Sequence, residues 1–430
     1  MVDKSVVQIR TTTHSSLQST HPIFRAVLMK KSKRLLFLSL LVLLILPGAC
    51  TPVHSGPDFG SCLASFQDFA FTDRYNSQYQ FALPDHPWVA VADIPPVPEG
   101  YYSSVPILTY RDTAEGPEIW IAEYYRGLGG GGTDVYLIYN THSEKWSAIS
   151  AEVWNTDWRV AELFVTHNGQ VWGILRWNSN AGDRPQMDRI PAFGRFNDEM
   201  QRFELVEGLE IVTDSGISEV LIDSQGTYWI FVARDGLYRY VAGSDEIEKQ
   251  FDLPKDPLWG FDAALAPDGS LYYKRTDFST IKDYTIHDGS MFHYIPETEE
   301  LITMQLPQEP WPIFRGMVVD HQNRLWLGAI GYRDADESWH FIHPDPQAFI
   351  NTHAGSLVMP SPRILFESSD GIIWYFNFLD DVMSEGTAWY DPETGEGCVI
   401  TSAASTVVED SQQRLWLVAG EKLYMYDRNR

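Results

Sequence analysis

The sequence predicts an all-β fold, a seven-bladed β-propeller of four-stranded blades closed by an N-terminal strand that completes the last blade. Three observations predict it. A small or turn residue, two further residues and then an aromatic opening an apolar strand recur seven times. The aromatic anchors stand 52, 57, 43, 54, 48 and 42 residues apart, close to the length of a four-stranded blade. The last unit is one strand short, and a strand-like phrase stands unassigned ahead of the first.

The N-terminal segment is set apart from these units. From Met29 to Cys50 four positive charges precede twelve mostly aliphatic residues, Leu35 to Leu46. That core is too short to span a bilayer and has the charge-then-apolar order of an export signal. Met29 is a candidate start, which would leave residues 1–28 as a mis-assigned leader. The segment 29–49, MKKSKRLLFLSLLVLLILPGA followed by Cys50, resembles a bacterial lipoprotein signal peptide, with Gly48 and Ala49 ahead of the cysteine. The resemblance implies that Cys50 is lipidated and heads the exported chain; the alternative is an ordinary cleaved signal with Cys50 incidental. Residues 50–74 then read as a tether, and 75–430 as the propeller. Cys62 and Cys398 are the other cysteines, and in an exported protein they suggest one disulfide, the alternative being two buried thiols.

The anchors are Trp120, Trp172, Trp229, Tyr272, Trp326, Trp374 and Trp416. An apolar run precedes each, such as ISEVLID, GMVVD or RILFE. A second aromatic run follows: DVYLIYN, FGRFND, GLYRYV, SMFHYIP, SWHFIHP, TAWYDP and KLYMYD. Most units add a third, as in KWSAIS, RFELVE, EIEKQFDLP and ELITMQLP. β-Branched and aromatic residues at strand length, bounded by Gly, Asn, Asp and Pro, make four strands per unit, a to d, with the anchor on b. The phrases QFDLPKDPLW (250–259) and MQLPQEPW (304–311) end strand d and open the crossover to the next blade, because Pro254 and Pro307 have no N–H for a ladder. Their earlier echo QFALPDHPW (80–88) is therefore taken as the d strand missing from the seventh unit, closing the ring so that no edge is left open.

The turn and strand in DSQGTYWIFVARDGLYRYV (223–241) resemble the two-component-regulator type of propeller repeat found in bacterial sensor ectodomains. The resemblance spans about Tyr79 to Asp427. It departs where Asn323 and Gln413 replace the turn glycine and where Tyr272 replaces the tryptophan. It implies a sensing or binding domain that passes its signal to another protein. The anchors and turn aspartates themselves are read as structural, fixing the a-b turn and filling the space between blades.

Composition bounds the function. Hydrophobic residues make up 44% of the chain and aromatics 13%, enough for a packed core. A net charge of −26 argues against nucleic acid or an anionic membrane surface as the main partner. Antiparallel order puts the d-a and b-c loops on one face and the a-b and c-d loops on the other. The c-d loops NDEM, GSDEIE, PETEE and PETGEG are acidic and solvated. On the d-a/b-c face the pattern places Arg126, Arg176, Arg234, Arg275 and Arg333 after strand b, and Arg159, Arg315 and Arg363 before strand a, with Tyr125, Trp158, Trp177 and Tyr332 beside them. Guanidinium forks with aromatic platforms suit an anionic ligand, acidic glycans included. The competing reading pairs those arginines with neighbouring acids such as Asp334, Glu337 and Asp380.

The run RGLGGGGTD (126–134) lacks the lysine and helix of a phosphate loop and reads as a flexible loop tip. No G-x-S-x-G elbow, C-x-x-C pair or H-E-x-x-H motif is present, so no catalytic residue, metal or other cofactor is assigned. The expected protein is a lipid-anchored, extracytoplasmic, monomeric binding or sensing module for an anionic or carbohydrate ligand. The alternatives are a polysaccharide lyase or other carbohydrate-active enzyme, and a scaffold for another envelope protein.

Overall fold

A computed structural model describes residues 57–428, apart from the segments 67–82, 97–101, 126–134, 178–189, 212–216, 254–260, 277–280, 305–310, 343–362, 377–385 and several shorter loop pieces. Seven antiparallel sheets, six of four strands and one with a fifth added at its edge, form the blades of a propeller. Strands a to d of blade 1 are Tyr102–Thr113, Gly116–Tyr125, Val135–Asn140 and Lys145–Ser150. Blade 2 has Trp158–Val165, Val171–Trp177, Phe193–Asn197 and Arg202–Leu205. Blade 3 has Ile217–Ile222, Thr227–Val232, Gly236–Val241 and Ile247–Asp252. Blade 4 has Phe261–Leu265, Leu271–Thr276, Gly289–Ile295 and Glu300–Met304. Blade 5 has Met317–Val319, Leu325–Leu327, Gly331–Arg333 and Trp339–Phe341. Blade 6 has Arg363–Glu367, Ile373–Phe376, Thr387–Tyr390 and Gly397–Thr401. Blade 7 has Val408–Glu409, Arg414–Ala419 and Lys422–Asp427 from the C-terminus, and Val89–Asp93 from the N-terminus.

All seven anchors fall on strand b, and apolar area buried between blades is what holds the ring. A buried apolar cluster fills each of the seven seams among the described residues. Trp120, Trp326, Trp374 and Trp416 are among the largest side chains with essentially no exposure. In blades 3, 5, 6 and 7 the a-b turn is tied to its anchor by a hydrogen bond from the indole N–H to the residue six positions earlier. The Asp320 carboxylate accepts from the Gln322 and Arg324 amides, from Arg324 Nε at 2.5 Å and from the Trp326 indole N–H at 2.7 Å. Asp410 does the same with Gln412, Arg414 and Trp416, and Asp223 with Gln225, Thr227 and Trp229. Ser368 receives the Trp374 indole N–H. The turn residue is left-handed, as Gly226 at φ 78° shows, and Asn323 and Gln413 keep that conformation at φ 60°.

Three expectations need correction. The ring does close through an N-terminal strand, but that strand is Val89–Asp93, immediately after the phrase QFALPDHPW. The end of the phrase is a turn, in which the Trp88 amide donates to the Asp85 carbonyl and Pro84 and Pro87 have no N–H to give; Gln80 and Phe81 lie outside the described residues. SWHFIHP supplies strand d of blade 5, not strand c. Strand c is the short Gly331–Arg333, because Tyr332 is the residue that pairs with the anchor Trp326. Part of the segment expected as a tether is packed: Ala64–Ser65 adds a fifth strand to blade 6, and Phe59 and Phe66 are buried at 1% and 2% exposure. Cys62 and Cys398 are joined by a disulfide, which ties the packed N-terminal segment to strand d of blade 6.

Candidate functional site

Two small added sheets settle which loops share a face. Ile190–Pro191, between strands b and c of blade 2, pairs with Glu210–Ile211 on the crossover from blade 2 to blade 3. The hairpin Ile281–Lys282 and Thr285–Ile286, between b and c of blade 4, pairs with Trp311–Pro312 on the crossover to blade 5. The b-c loops and d-a crossovers are thus one face, and they are built up into secondary structure. On the opposite face the a-b turns are tight, and from blade 5 through to blade 1 each bonds to the end of the next inner strand. His321 donates its amide to Glu367 and contacts it through Nδ1 at 2.5 Å, Ser369 bonds Glu409, and Ser411 bonds Asp112.

The predicted arginines divide by position. Arg159 and Arg176 face each other on strands a and b of blade 2, at the d-a/b-c end. Arg176 is exposed and makes no ion pair among the described residues, whereas Arg159 reaches Glu152 at 3.2 Å. Trp177 is half-buried, but Trp158 is 5% exposed and packs at the seam of blades 1 and 2, its ring 5.6 Å from that of Trp177. Trp158 is therefore a core residue and not a binding platform. Arg363 opens strand a of blade 6, exposed and opposite Phe376. Arg275 ends strand b of blade 4 on the same face, with its side chain outside the described residues, as is that of Tyr125. Cys50, Arg126, Arg234, Arg315 and the glycine-rich loop lie outside them altogether.

Arg333 and Tyr332 stand at the other end of the blade, because residues 331–333 are strand c. Arg333 opposes Leu325, next to the a-b turn, and pairs with Glu337 at 3.1 Å across the c-d turn. Tyr332 packs on Trp326 and stacks on His340. Both leave the predicted site.

Sequence reading missed a set of charged residues on the innermost strands. Gly316, at φ +75° just before the inner strand of blade 5, lies so near blade 6 that an added Cβ would stand 2.6 Å from the Ile364 carbonyl oxygen. Near the d-a ends of strands a sit Glu219 of blade 3, Asp262 of blade 4 and Arg363 of blade 6, with Glu162 of blade 2 deeper along its strand. Glu219 Oε2 accepts from the Ala263 amide at 3.1 Å, and Asp262 Oδ1 from the Gly316 amide at 2.9 Å, so each carboxyl reaches the next blade's inner strand. Asp262 Oδ2 also meets the buried Lys274 ammonium at 3.3 Å. Burial pushes the Glu219 carboxyl up to about 8, with Asp262 and Glu162 adding to the rise and Arg363 and the Ala263 amide opposing it. The signal was present in the sequence as a charged residue inside an otherwise apolar inner strand, ISEVLI and FDAAL.

A cleft of about 620 Å³ opens on the a-b face between the inner strands of blades 1 and 2, beside Thr109, Tyr110, Arg111, Asp112 and Asn168. Its guanidinium is already committed: Arg111 bonds Glu118 at 2.6 Å and Asp198 at 2.7 Å. Burial and the carboxylates of Asp112, Asp410 and Glu409 raise the Tyr110 phenol. Among the described residues no cluster of His, Cys, Asp and Glu is placed to hold a metal ion, and no helix is long and apolar enough to cross a membrane.

The chain is a seven-bladed β-propeller. No protein-family model and no curated protein sequence matches it. Among solved structures it is similar to YCF48 bound to a D1 peptide, at 11% identity and a TM-score of 0.50, over 84% of this chain and 98% of that one. It is also similar to the extracellular domain of a hybrid two-component system protein from B. thetaiotaomicron, at 12% identity and a TM-score of 0.47, over 75% of this chain and 40% of that one. Streptogramin B lyase matches at 13% identity and a TM-score of 0.46, over 79% and 96%. At such identities the likeness is one of fold.

Proposed function

We propose that this chain is an exported, lipid-anchored propeller that binds or senses an anionic or carbohydrate ligand on its d-a/b-c face. One observation carries the reading: this is the face the fold elaborates, with two added sheets joining b-c loops to crossovers and Arg176 exposed beside them with no ion pair among the described residues. A guanidinium at such a position presents planar paired donors to an anionic group. Export and the anchor at Cys50 rest on the order of charges and apolar residues from Met29 onward, and the Cys62–Cys398 disulfide accords with an oxidising compartment.

A glycan and polysaccharide screen of the chain from Ser55 onward, read for binding and for new product ends, tests this. Saturable binding of acidic glycans without product is expected, weakened by Arg176→Ala. Product formation would make the protein an enzyme, and failure to bind any anionic glycan would overturn the reading.

A further inference from the structure

Residues 57–66 cross the outer edge of blade 6 as a strap, and among the described residues blade 6 is the one blade whose sheet carries an added strand. The Leu63 amide donates to the Val399 carbonyl at 2.9 Å, and Ala64 and Ser65 pair with Val399 and Cys398. An aromatic plug stands on either side of this pairing. Phe59 enters the seam of blades 6 and 7, its ring centroid 4.9 Å from that of Trp374 and 5.1 Å from that of Tyr426. Phe66 enters the seam of blades 5 and 6, 4.7 Å from Tyr375 and 5.2 Å from Tyr390, beside Gly397, where a Cβ would collide with it. Between the plugs Ser61, Cys62, Leu63 and Ser65 are exposed, so the strap lies outermost on the blade. The edge thus offers backbone pairing and two aromatic pockets for side chains seven positions apart, which is how a sheet edge reads an extended peptide. The Cys62–Cys398 bond makes its present occupant permanent.

We propose that this edge exchanges straps between two copies of the chain: once the disulfide is reduced, the strap of a second copy docks on blade 6 and its Cys62 bonds Cys398 there. The second copy is the occupant because its strap carries both plugs at the required spacing with the cysteine between them. Eighteen residues lie between Phe66 and Asp85, which opens the turn before the closing strand. Fully extended they reach about 60 Å, so a strap can leave its own blade without moving that strand. The bonds from the Trp88 indole to the Phe59 carbonyl at 2.8 Å and from the Ser61 amide to Asp85 at 3.0 Å form again between host and incoming strap. A dithiol starts the exchange. Its first thiolate attacks the exposed Cys62 sulfur, and Cys398 departs as a thiolate and takes a proton. The second thiol resolves the mixed disulfide, leaving Cys62 reduced and the dithiol oxidised. A disulfide oxidant then accepts two electrons and two protons as Cys62 of one copy joins Cys398 of the other, and reciprocal exchange closes a two-fold dimer.

Two variants of the chain from His54, where its compact unit begins, test the exchange. Cys62→Ser keeps only the sulfur of the edge and Cys398→Ser only that of the strap, so neither can lock its own strap. Mixed and treated with oxidised glutathione, they are expected to give a heterodimer whose peptide map joins Cys62 to Cys398, in about tenfold or greater excess over either homodimer. A synthetic peptide of residues 57–66 should attach to Cys398 of the Cys62→Ser protein and suppress the heterodimer. The same peptide carrying Phe59→Ala and Phe66→Ala should attach about tenfold less. Capture of the peptide without a heterodimer would overturn the second copy as occupant, and equal attachment of the two peptides would overturn the edge as a site. The parent supplies a measurement free of substitutions. Isotope-labelled and unlabelled copies, mixed with a dithiol and then reoxidised, should yield Cys62–Cys398 peptides of mixed label that do not form without the dithiol. Peptides of unmixed label alone would show that each strap returns to its own blade, and the exchange would be wrong.

Discussion

Asp320 shows how one residue holds a blade. Its carboxylate is fully buried and meets two backbone amides, the Arg324 guanidinium and the Trp326 indole N–H. Replacing it with alanine would strand a buried cation and an indole donor together. Asp320→Ala is expected to lower the unfolding free energy by about 3–5 kcal/mol, read from urea titration, with Asp320→Asn costing less because it keeps an acceptor. The exposed Arg176→Ala in the same titration should shift stability by less than about 0.5 kcal/mol, which separates a binding defect from a folding defect. At this scale the sequence was informative about structure and poor about the site. Spacing alone placed Asp320 six residues before Trp326, but nothing local to Trp158 or Arg333 said which way each would face. Trp158 was lost to the core because it begins an inner strand that the neighbouring blade covers.

The N-terminal strap shows what individual elements contribute. Residues 57–66 place Phe59 against Trp374, Trp389 and Tyr426, and Phe66 against Tyr375 and Tyr390. Phe66 fits over the outer strand of blade 6 because residue 397 is glycine; a Cβ there would stand 2.6 Å from Phe66 Cβ. The Trp88 indole donates to the Phe59 carbonyl and Ser61 bonds Asp85, so the strap is also tied to the turn before the closing strand. The Cys62–Cys398 bond closes a loop of 336 residues. Its loss in Cys62→Ser/Cys398→Ser is expected to cost about 2–5 kcal/mol. Reductant should then lower the parent's Tm and leave that of the double variant unchanged; an unmoved parent Tm would mean that the aromatic anchors suffice. Strand identity within blade 5 was misread for a related reason. SWHFIHP has the aromatic alternation of a c strand, but strands c and d carry similar patterns, and only pairing to Trp326 distinguishes them.

For the whole molecule, ring closure is the decisive feature. Val89–Asp93 pairs with Lys422–Asp427, so the outermost strand of the last blade comes from the far end of the chain. A protein beginning at residue 83 keeps that strand and loses only the strap; it should unfold cooperatively in urea at a lower midpoint than the parent. One beginning at residue 95 leaves the edge of blade 7 unpaired and should associate on size-exclusion chromatography and lose the cooperative transition. Equal urea midpoints for the two truncations would show that closure adds nothing.

The sequence by itself determined the number of blades, the strand that carries each anchor, the acidic c-d turns and the closure by an N-terminal strand. These follow from local chemistry: turn residues, prolines and strand alternation repeat with a period that one chain can display. Only the tertiary structure decided which end of each blade the arginines occupy, that Trp158 and Tyr332 pack inside, and that Glu219 reaches the Ala263 amide of the next blade. Those two are 44 positions apart in the chain. Their meeting is set by the angle through which each seam turns the ring, and that angle is fixed by packing between blades, which no local pattern records.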